Sequence, residues 1–287
     1  MSHEFPGARF RRAMKEEKPL QIVGTINAYT ALMAARLGYR AIYLSGAGVA
    51  NQSHGLPDIG LTTLDQVLEE VRRITAATEL PLLVDIDTGW GNLLMIGQAV
   101  KEIAKAGAAG VHIEDQAVDT KRCGHLPGKQ VVSITEMTDR IRAAVDAKPS
   151  EDFIVIARSD ALAVEGMEGL LKRAAAYRDA GADALFPEAL TTLEQFKQVR
   201  KASRLPVLAN MTEFGKTPLF TLEELRSAQV DMVLYPLTIT RVMNLAAKTA
   251  LEELRQTGHQ KNLLKRMQTR EELYRFLNYD PSENPHA

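Results

Sequence analysis

From Pro19 onward the chain repeats one pattern: a short apolar run, a polar or glycine-rich exit, then a helix-periodic stretch that often closes on Ala-Gly or Leu-Gly. That alternation predicts βα units. The apolar runs are Gln21 to Ile26, Ala41 to Leu44, Leu82 to Ile86, Gly110 to Ile113, Ile154 to Ala157, Ala184 to Phe186, Val207 to Ala209 and Met232 to Tyr235. They show no polar alternation, so both faces of each strand are expected to be covered, as in a parallel sheet. Eight such units in 287 residues fit a closed (β/α)8 TIM barrel built as one domain over residues 1–287. A doubly wound sheet is the runner-up, weakened because no GxGxxG follows the first run. Leu37-Gly38, Ala106-Gly107 and Ala180-Gly181 read as helix C-caps, and Pro81 and Pro206 stand where proline costs no ladder bond.

Helical pattern extends beyond the repeat at both ends. Residues 5–17, with Phe10 and Met14 four apart, predict a leading helix that covers one end of the fold. Past Tyr235 the pattern is helical from Arg241 through Gln256 and again from Leu263 to Leu277, a C-terminal extension over about 241–279. Leu263, Met267, Leu273, Tyr274 and Leu277 give it an apolar face that packs either on its own barrel or on another subunit.

Composition narrows the partners. Lys and Arg number 35 against 36 Asp and Glu, a formal charge of -1, which argues against nucleic acid or an anionic membrane and for a small molecule. No apolar run reaches membrane-spanning length. With a single cysteine and no basic-then-apolar leader, the expected compartment is the cytoplasm.

Candidate chemistry is sought at the carboxyl ends of the strands, where barrels carry it. The exits hold Asn27, Ser45 with Gly46, Asp85 with Asp87, His112 with Glu114 and Asp115, Arg158 with Asp160, Glu188, Asn210 with Thr212, and Pro236. Asp85 and Asp87 suit Mg²⁺, which takes one or two carboxylates and keeps water and substrate oxygens. A solvated turn or helix cap is the alternative. Scattered histidines and one thiol offer no zinc spacing. Arg158 leaving a buried strand needs an anionic partner, either a substrate carboxylate or Glu188 in a structural pair. Cys123 stands between Lys121-Arg122 and Gly124-His125, a setting that stabilises a thiolate, although a lone cysteine also serves as a small core residue.

The segments Lys121 to His125, Asp85 to Gly91, Ile113 to Gln116, Ala157 to Ala161 and Phe186 to Ala189 resemble the isocitrate lyase and phosphoenolpyruvate mutase superfamily from about Pro19 to Tyr279. The resemblance implies a (β/α)8 barrel whose last helix is exchanged with a neighbouring subunit, two such dimers forming a homotetramer. It also implies Mg²⁺-dependent carbon–carbon cleavage of a small tricarboxylate. By motif, Asp85 and Asp87 hold Mg²⁺ directly or through water, with Glu114 beyond them. Ser45, Gly46 and Ala47 bind a substrate carboxylate, Ala47 standing where the family commonly has glycine. Arg158, Glu188, Asn210, Met211, Thr212, Arg241 and Arg270 complete the substrate site, and Cys123 with Gly124 lies on a loop that closes over it. Cys123, positioned by Lys121 and His125, delivers the proton to the carbanion. Tyr43, Asp58 and a Glu188–Arg158 relay all stay open as the base. Apolar Phe186, Leu234 and Pro236, in a short chain lacking a large insertion, leave room for a methyl group beyond isocitrate.

Overall fold

The computed structural model describes residues 4–118 and 128–280. Helix α1 (Pro6–Glu16) precedes eight parallel strands. These are β1 (Leu20–Gly24), β2 (Ala41–Leu44), β3 (Leu82–Asp85), β4 (Gly110–Glu114), β5 (Ile154–Ser159), β6 (Ala184–Pro187), β7 (Leu208–Asn210) and β8 (Met232–Tyr235). Neighbours pair in the order β6-β5-β4-β3-β2-β1-β8-β7. The ring closes between β6 and β7 through a single bridge, Leu185 to Val207, with the Leu185 amide donating to the Pro206 carbonyl at 2.9 Å. The result is the expected (β/α)8 barrel.

Up to their polar carboxyl ends the strands are mostly apolar on both faces because they separate two apolar compartments. Ile22, Tyr43, Leu83, Ile156, Phe186 and Leu234 point into the barrel. Their strand neighbours Val23, Ile42, Val84, Val155 and Leu185 point outward against the helices. The outer ring comprises α2 (Ala28–Arg36), α4 (Leu64–Ala77), α5 (Leu93–Lys105), α6 (Ile134–Asp146), α7 (Leu162–Asp179), α8 (Leu193–Ser203) and α9 (Leu222–Ser227), while α10 (Thr238–Thr257) follows β8 and buries Thr240 in its first turn. A short α3 (Gly46–Gly48) runs into a π-helical turn, Val49–Ser53, directly after β2. Gly38, Gly107 and Gly181 take positive φ at the helix ends, as C-capping requires. Helix α1 closes the amino-terminal end of the barrel by seating Phe10 and Ala13 among the inward-pointing side chains. That leaves the carboxyl ends of the strands as the open mouth.

The C-terminal extension differs from the sequence expectation. Its first helix starts earlier, at Thr238, and its second breaks into a 3-10 segment (Lys261–Arg266) and α11 (Arg270–Leu277). The Thr269 hydroxyl accepts from the Glu272 amide at 3.1 Å and caps α11 anew, which interrupts the continuous pattern read there. Helix α10 exposes Val242, Leu245 and Leu251. Among the described residues no helix is long and apolar enough to cross a membrane.

Candidate active site

Strand alternation decides which exit residues face the mouth. In the parallel register Asp85 pairs with His112 and Glu114 with Arg158. These four point inward together, whereas Ile113, Asp115, Ala157 and Ser159 point outward.

Asp85 is saturated with donors. Its Oδ2 accepts from the Gly46 amide at 3.0 Å and the Tyr43 hydroxyl at 3.2 Å, and its Oδ1 from the Asp87 amide at 3.1 Å. His112 Nε2 lies 3.4 Å from Oδ1 and 2.9 Å from the Tyr43 oxygen, and its ring stacks on Tyr43. Neither aspartate caps a helix. That duty falls to Asn92, which accepts from Met95, just as Asn27 at the first exit caps α2. Asp87 instead takes a positive φ of 49°, which turns its carboxylate back toward Asp85. A Cβ on Gly46 would lie 3.3 Å from one Oδ2 and 3.4 Å from the other, so both carboxylates converge on a bare stretch of backbone. Gly89, at φ 88°, completes the turn under Ile96. Burial, and then the charge of Asp85, hold the Tyr43 phenol well above its ordinary value. Its proton stays in place and anchors Asp85, and burial acts whether or not a cation is bound.

The second half of the mouth centres on Arg158. Its Nε donates to Asp160 Oδ2 at 3.0 Å and lies 3.3 Å from Glu114 Oε2; its Nη2 lies 3.2 Å from Glu188 Oε2 and 3.3 Å from Asp160 Oδ1. Burial alone would lower the guanidinium, but Asp160, Glu114 and Glu188 outweigh it and the group is held well above its ordinary value. Among the described residues Nη1 has no hydrogen-bond acceptor. The guanidinium rests on the Phe186 ring, 5.0 Å from its centroid. Phe186 meets His112 edge-on and so floors both halves. Asn210 Nδ2 donates to Glu188 at 3.2 Å. That bond engages the amide nitrogen within the protein. The buried Asn210 Oδ1, without a donor among the described residues, is available to a hydroxyl.

The remaining sequence-derived candidates divide. Ser45 and Thr212 are buried at the mouth, and Ala47 is half-buried on α3. Asp58 is half-buried on the loop before α4. Met211 is a correction: its side chain joins the outer layer between strands and helices, because it alternates with the inward-pointing Asn210 and Thr212. Asp115 is another, facing Ser159 and Tyr177 behind the sheet. Arg241, on α10, is 3.4 Å from Glu213 and lies over the Phe214 ring. Arg270 opens α11 exposed, and among the described residues no bond joins it to the cluster. Lys121, Cys123, Gly124 and His125 lie outside the described residues. Sequence reading passed over Lys129, whose Nζ donates to Asp160 Oδ1 at 2.6 Å, and gave no role to His112 or Asp160. Strand parity would have found the last two.

The donor set fits a hard cation. Among the described residues no three His, Cys, Asp or Glu side chains form an enclosing cage. Two carboxylates meeting at a backbone with no side chain suit Mg²⁺, whose other positions go to water and substrate oxygens.

A family model described as phosphoenolpyruvate phosphomutase matches residues 10–255. The chain is 59% identical to 2-methylisocitrate lyase of Salmonella typhimurium, covering 97% of this chain and 95% of that one. It is 58% identical to 2-methylisocitrate lyase of Escherichia coli, covering 97% and 94%. Among solved structures it resembles 2,3-dimethylmalate lyase, a PEP mutase/isocitrate lyase superfamily member, with TM-score 0.88, 33% identity and coverage of 97% and 93%.

Proposed function

The chain belongs to the phosphoenolpyruvate phosphomutase family, within the isocitrate lyase and phosphoenolpyruvate mutase superfamily, and from that premise we propose that it cleaves 2-methylisocitrate to pyruvate and succinate. It is a carbon–carbon lyase, as its relatives at 58% and 59% identity over nearly their whole length support. The observation that carries the chemistry is the meeting of two unlike clusters at one mouth: a two-carboxylate cation seat and an arginine with one edge turned to the ligand.

Asp85 and Asp87 would hold Mg²⁺, which would supply Lewis-acid polarisation of a bound substrate. The Gly46 amide, Tyr43 hydroxyl and His112 fix Asp85, so the seat needs little rearrangement when it fills. Arg158 offers Nη1 to a substrate carboxylate while Asp160 and Glu188 hold its other edge. Cleavage of the C2–C3 bond requires the C2 hydroxyl to lose its proton. Tyr43 is ill suited, since its own proton is held; Glu188, beside Arg158, and Asp58 keep that role open. The electrons of the broken bond go to the succinate fragment, and Cys123 delivers the proton that carbon then takes.

The setting we assign is the methylcitrate route of propionate breakdown, in the cytoplasm. The exposed Val242, Leu245 and Leu251 of α10 support exchange of that helix with a second copy, in dimers that pair as a homotetramer. Sedimentation as a monomer would remove that part of the proposal. The activity itself is tested by measuring pyruvate from 2-methylisocitrate against glyoxylate from isocitrate, with and without Mg²⁺. A pocket discriminates one methyl group by about 1–3 kcal/mol, so a preference of roughly 10-fold or more for the methylated substrate is expected. Equal or greater glyoxylate release would reassign the substrate.

A further inference from the structure

At the end of the barrel opposite the mouth, a groove of about 800 Å³ opens between α8, α9 and the turns that lead into β1 and β8. Six cations line it, Lys18, Lys197, Arg200, Lys201, Arg204 and Arg226, against the carboxylates of Glu194 and Asp231. The whole chain carries a formal charge of -1, so this crowding is not the by-product of a basic protein. Two of the six are committed. Arg200 Nε lies 3.1 Å from Asp231, which also accepts from the Val207 amide at 2.9 Å. Arg226 pairs with Glu223, and its Nε donates to the Lys18 carbonyl at 3.0 Å. These bonds fasten both helices to the turns before β8 and β1, so the groove is preformed. Lys18, Lys197, Lys201 and Arg204 have no ion-pair partner among the described residues. Unpaired cations sharing a concave surface focus a positive potential there.

The helix dipole accounts for only part of this. Arg200 and Lys201 stand in the last turn of α8, where the free carbonyls favour cations. Lys197 stands in the middle of that helix, and Lys18 belongs to neither wall helix. Position 204 is more telling. Helices α2, α5, α7 and α10 hand over at glycines of positive φ (Gly38, Gly107, Gly181 and Gly258), and α11 at Asn278, an asparagine that tolerates it. By contrast α8 ends on Arg204 at φ 60° and α9 is followed by Gln229 at φ 59°. A longer side chain costs free energy at such a position that glycine would not. Both exceptions line this one groove.

The row also has a length. Lys197, Lys201 and Arg204 follow at intervals of four and three, which keeps them on one side of α8 over roughly 10 Å. A single phosphate or a compact tricarboxylate meets one end of such a row, whereas a chain of linked phosphates meets all of it. None of the residues lining the groove is aromatic, so nothing there stacks on a base. We propose that this groove binds an oligophosphate chain, free or as the tail of a nucleotide, through Lys18, Lys197, Lys201 and Arg204. The site stands apart from the mouth and from the lyase reading.

Calorimetric titration of the full chain with inorganic triphosphate, at low ionic strength and without Mg²⁺, tests this. Wild type is expected to bind one triphosphate per chain with Kd on the order of 10 μM, weakening at least 10-fold on addition of about 0.5 M salt. The double variant K201A/R204G is expected to bind at least about 10-fold more weakly, while Lys172→Ala, a lysine paired with Glu168 on α7, stays within about 2-fold. Because glycine suits the backbone at position 204, Arg204→Gly is expected to melt no lower than wild type, so its loss of affinity is not a loss of fold. A parallel titration with adenosine triphosphate separates the sources: equal affinity means that the tail alone is read, and no heat restricts the site to the free chain. The proposal is overturned if wild-type Kd exceeds about 1 mM, or if the double variant stays within about 3-fold of wild type. It is overturned equally if citrate or orthophosphate binds as tightly as triphosphate, or if Arg158→Lys at the mouth weakens binding as much as the double variant does. Should K201A/R204G not fold, K197A/K201A, which alters two exposed side chains, is held to the same limits.

Discussion

Two buried arginines, Arg158 inside the barrel and Arg173 on α7 behind it, keep the same kind of company and do different work. Arg173 spends all its donors within the protein: on Glu165 through Nε and Nη2, on Asp115 and the Tyr177 hydroxyl through Nη1, and on the Val132 carbonyl through Nη2. Among the described residues Arg158 spends only one edge, on Asp160, Glu114 and Glu188. The chemistry of the partners does not separate the two; the count of committed N–H groups does. A guanidinium with five satisfied donors is a rivet between β4, α7 and the chain returning at Val132, whereas one with an open edge suits the ligand-binding role we propose for Arg158. The two networks meet where the Asp160 amide donates to Asp115 at 2.8 Å.

The sharpest way to break this contrast is to shorten each arginine. Arg158→Lys keeps the charge but loses the fork, and kcat/KM is expected to fall about 1,000-fold with little change in melting temperature. A loss below 10-fold in steady-state pyruvate release would erase the distinction. Arg173→Met should do the converse, costing about 3 kcal/mol in denaturant unfolding by leaving Asp115 buried and unmatched, with turnover per folded molecule kept within a few-fold. Tyr177→Phe removes the hydroxyl that donates to Asp115 at 2.7 Å and accepts from Arg173 at 3.0 Å; a loss of about 1.5 kcal/mol is expected in the same experiment, again with turnover kept.

The smallest expected effect is one of pH. Hydrogen bonding to Arg173 lowers Glu165, so its contribution to stability is present above its ordinary value of 4.5 and is lost as pH falls through its lowered one. Burial, and then the charge of Asp160, raise Asp115, whose ionisation opposes folding as pH climbs from 3.8 through its raised value. Glu165 is one-third exposed, so Glu165→Gln should remove well under 1 kcal/mol of stability above pH 4.5 and flatten the acid arm of a urea-midpoint profile. An unchanged acid arm would mean that Arg173 leans on Asp115 alone.

The barrel was readable because every strand divides two apolar spaces, and an unbroken apolar run is the trace this leaves in sequence. Strand exits were equally readable as places for polar chemistry. What exit position alone did not yield was direction. Glu114 and Asp115 look like a repeat of the Asp85–Asp87 theme, yet one faces the mouth and the other the helices, as do Asn210 and Met211. Counting parity from inward residues such as Tyr43 or Leu83 would have separated them. Lys129 was illegible for another reason: it meets Asp160 across 31 positions, and no local pattern announces such a meeting. Thr269 split a helix that apolar spacing had drawn whole, because a cap outweighs a repeat at the end of a chain segment.

The barrel's closing joint carries a further consequence. β6 and β7 share one bridge, and just beyond it Glu188 and Asn210 clasp across the same seam. The weakest line in the sheet therefore runs straight through the seat we propose for the ligand. Whatever binds there acts as a suture, so occupancy and local breathing are two readings of one equilibrium. Amide protons along this seam should exchange sooner than those between β4 and β5, and should slow when a dicarboxylate is bound. A barrel whose closing joint lies under the proposed seat would report its own saturation through its backbone.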